Sequence, residues 1–400
     1  HMAADLAHPV SQVLDLISSG EIPKLYSIPL PNKEQTYRFP RTPQQQKLVA
    51  IWEELLGVRP IGIQDNFFAL GGHSLSAVQL MAHVQQAFNQ RLPINILFQH
   101  PTIEALSAQL SQSQDETLWS PLVAIQPRGE KPPFFCVPGA GGNPLYLHPL
   151  ARHLTSDQPF YGLQAVGLDG VTAPPATLEA TAEHYIAEIK RIQPQGPYHL
   201  GGHSYGGWVA FEMALQLLKQ GETVGLLAIL DVGAPDPCHR HARMVDEVEM
   251  MLSMADTFSQ MTGNPLTLSA AQLLPLGEDG RLHLVREKLV EAHILPAEMS
   301  LIQIRGFWNV YRANLNMHYQ PQAAQRLPIS LFMAHEEVAA SEQQQRIDGW
   351  SRYGCVAVKQ VPGNHLSMLT EPQVQVLAQE LTQLLADWET CQAPIAASGR

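Results

Sequence analysis

The sequence predicts an α/β protein: a parallel sheet with helices on its faces, interrupted by a helical lid insertion and preceded by a small all-α unit. Three observations predict it. From Pro132 onward, short apolar runs alternate with amphipathic helical stretches, the pattern of strands joined by crossover helices. Between Asp231 and Ile329 the alternation stops, and nearly a hundred residues read mostly helical, too many for a connection. Residues 44 to 110 show helical periodicity alone.

Val10, Val13, Leu14 and Ile17 fall at helical spacing before Gly20, and the Pro- and Gln-rich stretch after them lacks apolar period. Residues 1–40 therefore read as an upstream remnant, or a frayed end, and a linker. The all-α unit spans 41–112, with helices in QQKLVAIWEELLG, SLSAVQLMAHVQQAF and TIEALSAQL. In the second, Val78, Met81, Val84 and Phe88 form one apolar stripe, read as core. A polar linker, 113–121, can reach at most roughly 35 Å when extended. The α/β domain covers 122–390, with strands in PFFCVPG, YHLGGHS, VGLLAILDVG, ISLFMAHEE and CVAVKQVPG and helices at 177–192, 205–219 and 371–387. The insertion covers roughly 236–325, and its methionines read as internal packing.

Composition narrows the function. With 45% hydrophobic and 16% charged residues, the chain is globular in type. A net charge of -12 repels phosphate backbones and anionic lipid, so neither nucleic acid nor membrane is an expected partner. The apolar run GLLAIL is far too short to span a bilayer. The 4 cysteines form no CxxC pair, which points away from zinc or a disulfide framework and toward a cytoplasmic protein.

The string LGGHS occurs twice, at Leu70 and Leu200, and places Ser74 and Ser204 in different surroundings. Gly202-His203-Ser204-Tyr205-Gly206 matches G-x-S-x-G between a strand and a helix, the setting of a nucleophile elbow. Such a short motif is common by chance. Two residues further along the chain give it weight: Asp231 ends the strand LLAILD, and His365 lies in VPGNHLSML just after the last strand. Serine, acid, histidine is the chain order of the α/β-hydrolase fold, the histidine serving as base and the acid fixing its tautomer. Glu336 and Glu337 stand where many such folds keep the acid, and Glu337 is the reserve for Asp231. Backbone N–H groups of Tyr205 and of Ala140 in CVPGAGGN are the candidate oxyanion donors.

Ser74 has no preceding strand and has serine at position 76 where an elbow needs glycine. Its setting, DNFFALGGHSL, starts a helix, which favours phosphate there but equally suits a plain N-cap.

DNFFALGGHSL resembles the attachment motif of peptidyl carrier domains in nonribosomal peptide synthetases. The remainder, through SPLVAIQPRGEKPPFFCVPGAGG, GGHSYGGWVAFEMA, LLAILD, YRANLNMHYQPQ and VPGNHLSML, resembles the thioesterase that terminates such synthetases. The resemblance covers roughly 41–390. It implies a four-helix-bundle carrier with 4'-phosphopantetheine on Ser74, installed from coenzyme A by a phosphopantetheinyl transferase. It implies a Ser204, Asp231 and His365 triad, a peptidyl or acyl thioester substrate, and upstream condensation and adenylation domains. The acyl chain would leave Ser204 to water or by macrocyclisation. The competing expectations are a stand-alone serine esterase with a helical appendage and a carrier scaffold with an inert hydrolase domain.

Overall fold

The computed structural model describes residues 37–392 apart from 73, 89, 91, 93–95, 112–119, 236–245, 298, 323–325 and 337–338, and leaves the side chains of 74, 75, 78, 98, 99, 391 and 392 undescribed. The expected helix at Val10–Ile17 and the reserve acid Glu337 lie outside the described residues, as does nearly all of the linker.

The N-terminal unit is helical, with helices Pro43–Leu56, Ser74–Phe88, Ile96–Gln99 and Ile103–Leu110. Thr42 and Thr102 begin the first and last of these by accepting a backbone N–H with their hydroxyls, which satisfies donors that a helix start leaves free. Leu48, Trp52, Ile61, Phe67, Leu80 and Val84 bury completely in its core. Met81 belongs to the same core and Phe88 packs against it, so with Val84 these members of the stripe face inward.

The α/β domain is a sheet with strand order β1-β3-β2-β4-β5-β6-β7. The strands are β1 (Leu122–Gln126), β2 (Phe134–Val137), β3 (Phe160–Leu163), β4 (Tyr198–His203), β5 (Val224–Leu230), β6 (Leu327–Ala334) and β7 (Gly354–Val361). All neighbours pair in parallel except β1, which runs antiparallel to β3 at the edge. The fully parallel sheet expected from sequence is thus amended by this one edge strand, and β1 and β3 were not among the expected strands. At five and four residues they are too short for periodicity to resolve.

Strands β2 and β4 bury every residue, because helices cover both faces. Leu178–Ile192 and Tyr205–Lys219 pack on one face with Trp350 of the helix Ala340–Ser351, while His148–His153 and Val374–Gln392 pack on the other. The chain leaves β2 for β3 on one side and returns to β4 on the other. Such a reversal opens a crevice at the C-terminal strand ends, where ligands of open α/β sheets bind.

The insertion between β5 and β6 carries helices Glu247–Thr262, Ala270–Leu273, Glu278–Glu291 and Leu301–Leu315. It has its own core, in which Met250, Met251 and Met254 pack with Leu289 and Trp308; these three are packing residues as expected, whereas Met261 is exposed and Met244 lies outside the described residues. The helical unit touches the sheet domain through Phe68, whose ring stacks on His148 at 4.6 Å.

Candidate active site

Ser204 sits between β4 and the helix Tyr205–Lys219 with φ 55 and ψ -130, a backbone conformation that costs on the order of 1–3 kcal/mol for a residue with a side chain. Two bonds hold it: Ser204 N–H donates to the Leu230 carbonyl at 2.9 Å, and Gly207 N–H donates to the Ser204 carbonyl at 2.8 Å. The turn is so tight that a Cβ on Gly202 would lie 2.0 Å from the Gly206 carbonyl oxygen, and one on Gly206 would lie 2.3 Å from that of Val137. The two glycines of the motif are therefore steric requirements, and the serine is lifted to the C-terminal edge of the sheet.

Asp231 follows β5, also at positive φ, 52. It is 3% exposed, and its charge is met on both oxygens. Oδ1 accepts from Ala334 N–H at 3.1 Å and Arg346 Nη1 at 2.9 Å, and Oδ2 accepts from His365 Nδ1 at 2.8 Å. Burial pushes this carboxyl up, but the hydrogen bonds from His365 and Ala334 and the charge of Arg346 outweigh it and hold it below the ordinary value. Asp231 is thus an anion that fixes the Nδ1–H tautomer of His365 and leaves Nε2 with a free lone pair.

His365 lies in the loop after β7. Asn364 Oδ1 accepts the N–H groups of Leu366 and Ser367, and the Ser367 hydroxyl accepts that of Asn364. This local knot presents the ring with its side chain 45% exposed, open to substrate. Among the described residues no hydrogen bond joins the Ser204 hydroxyl to His365. Such bonds are often loose without substrate, and here backbone geometry alone positions the serine.

The sequence did not single out the groups behind this constellation. His203 is buried under the histidine loop, its Nε2–H donating to the His365 carbonyl at 2.8 Å. Its Nδ1 must then accept, and it takes the Tyr146 hydroxyl at 3.0 Å. Tyr146 in turn accepts Gly139 N–H at 2.7 Å. Burial, with the nearby His365 charge, pushes the His203 imidazole down to about 3, so it is a neutral bridge between the histidine loop and the Gly139 turn. The x of G-x-S-x-G was visible as a residue, but its partners belong to elements far apart in sequence.

The turn after β2 carries Ala140. A Cβ built on Gly139 would lie 3.4 Å from Ser204 Cβ, so this turn stands against the nucleophile. Gly142 N–H donates to the Gly139 carbonyl at 2.9 Å. Because a trans peptide sets C=O and N–H on opposite sides, that bond aims Ala140 N–H away from Gly142. Among the described residues no acceptor takes Ala140 N–H, and Tyr205 N–H, at the first position of its helix, is unpaired by position.

Residues 132–384 match the thioesterase domain family. The chain belongs to that family. Residues 46–110 match the phosphopantetheine attachment site family, so covalent 4'-phosphopantetheine is expected on the helical unit ahead of the thioesterase domain. The chain is 33% identical over 86% of its length to chondramide synthase cmdD of Chondromyces crocatus, and 44% identical over 49% to a dimodular nonribosomal peptide synthase of Bacillus subtilis. It spans only 9% and 8% of those proteins. The crystal structure of holo-AB3403, a four-domain nonribosomal peptide synthetase bound to AMP and glycine, aligns with 90% of this chain and 27% of its own, at 29% identity and a TM-score of 0.64. The carrier-then-thioesterase order is that of nonribosomal peptide synthetases. Glu336, the other acid weighed from sequence, is exposed, while Asp231 holds the histidine.

Ser74 is the first residue of the helix Ser74–Phe88, whose first turn has no acidic residue. A helix start of this length, with unpaired N–H groups and positive dipole, suits a phosphodiester. The carrier helix thus fits the attachment that its family implies.

Proposed function

We propose that this chain is the terminal release unit of a nonribosomal peptide synthetase, in which a chain loaded at Ser74 passes to Ser204 and is then released. The reading is supported by the 2.8 Å hydrogen bond between His365 and Asp231 at the strand ends where the strained Ser204 turn also stands, in a chain that also holds a carrier. Phosphopantetheine, when bound, supplies the thiol that carries the acyl group as a thioester. His365 Nε2 takes the Ser204 proton as Oγ attacks the thioester carbonyl, and the oxyanion rests on the Tyr205 and Ala140 N–H groups. As the carbon–sulfur bond breaks, His365 returns the proton to sulfur and Ser204 keeps the acyl group as an ester. His365 then deprotonates water, or a nucleophile of the bound chain itself, which attacks the ester carbonyl; as the carbon–oxygen bond to Ser204 breaks, His365 returns the proton to Ser204 Oγ and the serine is freed. Asp231 stays ionised throughout and stabilises the imidazolium.

The substrate is a peptidyl or acyl thioester, upstream condensation and adenylation domains supply it, and a phosphopantetheinyl transferase loads Ser74. The tether between the domains keeps the two serines at an effective concentration of about millimolar, so weak domain contacts suffice.

The test is an intact-mass time course after loading from an acyl-coenzyme A with a phosphopantetheinyl transferase. The wild type is expected to load and shed the acyl group, Ser74→Ala to take no load, and Ser204→Ala to load and shed at least about 10³-fold more slowly. Shedding by Ser204→Ala at the wild-type rate sinks the reading, and so does loading of Ser74→Ala.

A further inference from the structure

Both proposed oxyanion donors are tied to the segment that closes the lid insertion. Asn314, near the end of the helix Leu301–Leu315, is 7% exposed and donates from Nδ2 to the Ala140 carbonyl at 2.8 Å. Three residues on, the Met317 sulfur accepts the Tyr205 hydroxyl at 3.0 Å. Two residues further, the Tyr319 hydroxyl donates to Glu212 at 2.6 Å, on the same helix that Tyr205 begins. Ala140 itself packs against both the lid core and the sheet core.

The same helix also limits the turn from the side. Val310, one helical turn before Asn314 and fully buried, lies where a Cβ on Gly142 would come within 2.8 Å of its Cγ1. The Gly139–Ala140 peptide is oriented by the bond from Gly142 N–H, and the next carbonyl by Asn314. The loop thus has its two consecutive peptide planes fixed, one from within and one from the lid. A glycine-rich turn without such a strut would sample many orientations, and an oxyanion donor is effective only when it is aimed beforehand.

We infer that Asn314 is a positioning residue for the oxyanion hole, and that the hole is complete only while the lid's closing segment, Asn314 to Tyr319, is seated on Ala140 and Tyr205. The inference rests on the proposed roles of Ser204, Ala140 and Tyr205. It goes beyond them in making the lid part of the catalytic apparatus as well as a cover for substrate.

The test compares wild type with Asn314→Ala and Asn314→Leu, the second branched like asparagine, though bulkier, and unable to donate, using a soluble acyl thioester of N-acetylcysteamine. A peptidyl boronic acid, whose adduct with Ser204 places an oxygen where the oxyanion forms, serves as transition-state analogue. Expected is a fall in kcat of about 10–100-fold with KM changed less than about 3-fold, and a loss of boronate affinity in proportion to kcat/KM. Met317→Leu, which removes only the sulfur acceptor, is expected to move the same quantities in the same direction by about 2–5-fold, and it decides the matter if neither Asn314 variant folds. Unchanged kcat and boronate affinity overturn the inference, as does a rise in KM alone, which would make Asn314 a substrate contact. Failure of the underlying reading looks different: boronate would then bind Ser204→Ala as well as it binds the wild type.

Discussion

His203 shows how a single side chain can be both conspicuous and opaque in a sequence. It lies inside the most recognisable motif of the chain, yet its work is to join Tyr146, and through it the Gly139 turn, to the backbone of His365. Ser204, Asp231 and His365, the residues proposed to act, were legible because the α/β-hydrolase chain order sets such groups at strand ends. Tyr146, Arg346 and Asn314 were not, since their partners are 57, 115 and 174 positions away, and no local period records such a pairing. His203 belongs to a set of histidines buried neutral: burial pushes His199 to about 4, and burial with the charge of Arg152 pushes His148 to about 4. The unfolded chain binds these protons near pH 6.5 and the folded one resists them, so stability falls as pH drops below about 6.5 and the loss is complete near the folded values. Asp231 acts in the same direction only lower, where its depressed carboxyl takes up a proton. His199 is a clean probe, because its Nδ1 is buried without a partner beside Trp388. In His199→Leu the dependence of hydrolase stability on pH between about 6 and 4.5 is expected to flatten by up to about 1.4 kcal/mol per pH unit, read from urea midpoints across that range. An unchanged slope would mean that His199 is already protonated in the fold.

At the scale of elements, the central strands were legible because burial on both faces forces continuous apolar runs, and the helices flanking them because one face is apolar. The edge pair β1 and β3 escaped notice because each is a few residues long and one of them runs against the rest. The elbow is an element sensitive to change. A methyl group on Gly206 would come within 2.3 Å of the Val137 oxygen and 2.4 Å of the Pro138 oxygen, both backbone atoms at the root of the Ala140 turn. Gly206→Ala is therefore expected to destabilise the domain by more than about 3 kcal/mol, or to abolish turnover of a soluble thioester if the fold survives by displacing that turn. Thermal unfolding and a thioester assay on the same sample check it. A variant with both near wild type would show that the turn yields more easily than its packing indicates.

The whole molecule keeps its cores apart. Trp52 and Phe67 anchor the carrier, Met251 and Trp308 the lid, and the sheet has a core on each face, with Phe68 reaching from the carrier toward one of them. Such separation lets one unit fail without the others. Trp52→Ala, which removes a completely buried indole, is expected to cost the carrier about 3–5 kcal/mol and so its fold, while kcat and KM for a soluble thioester stay near wild type. Loss of that activity as well would mean that the sheet domain depends on the carrier for its stability. The lid is the exception to this independence, because its last helix ends on the Ala140 turn. Exchanging lids between related enzymes to change what they release is thus more than the transplant of a cover. A grafted insertion has to bring its own amide donor at the position of Asn314, or the recipient turn must be rebuilt to hold itself. A chimera that satisfies neither would bind its new substrate and turn it over about 10–100-fold more slowly.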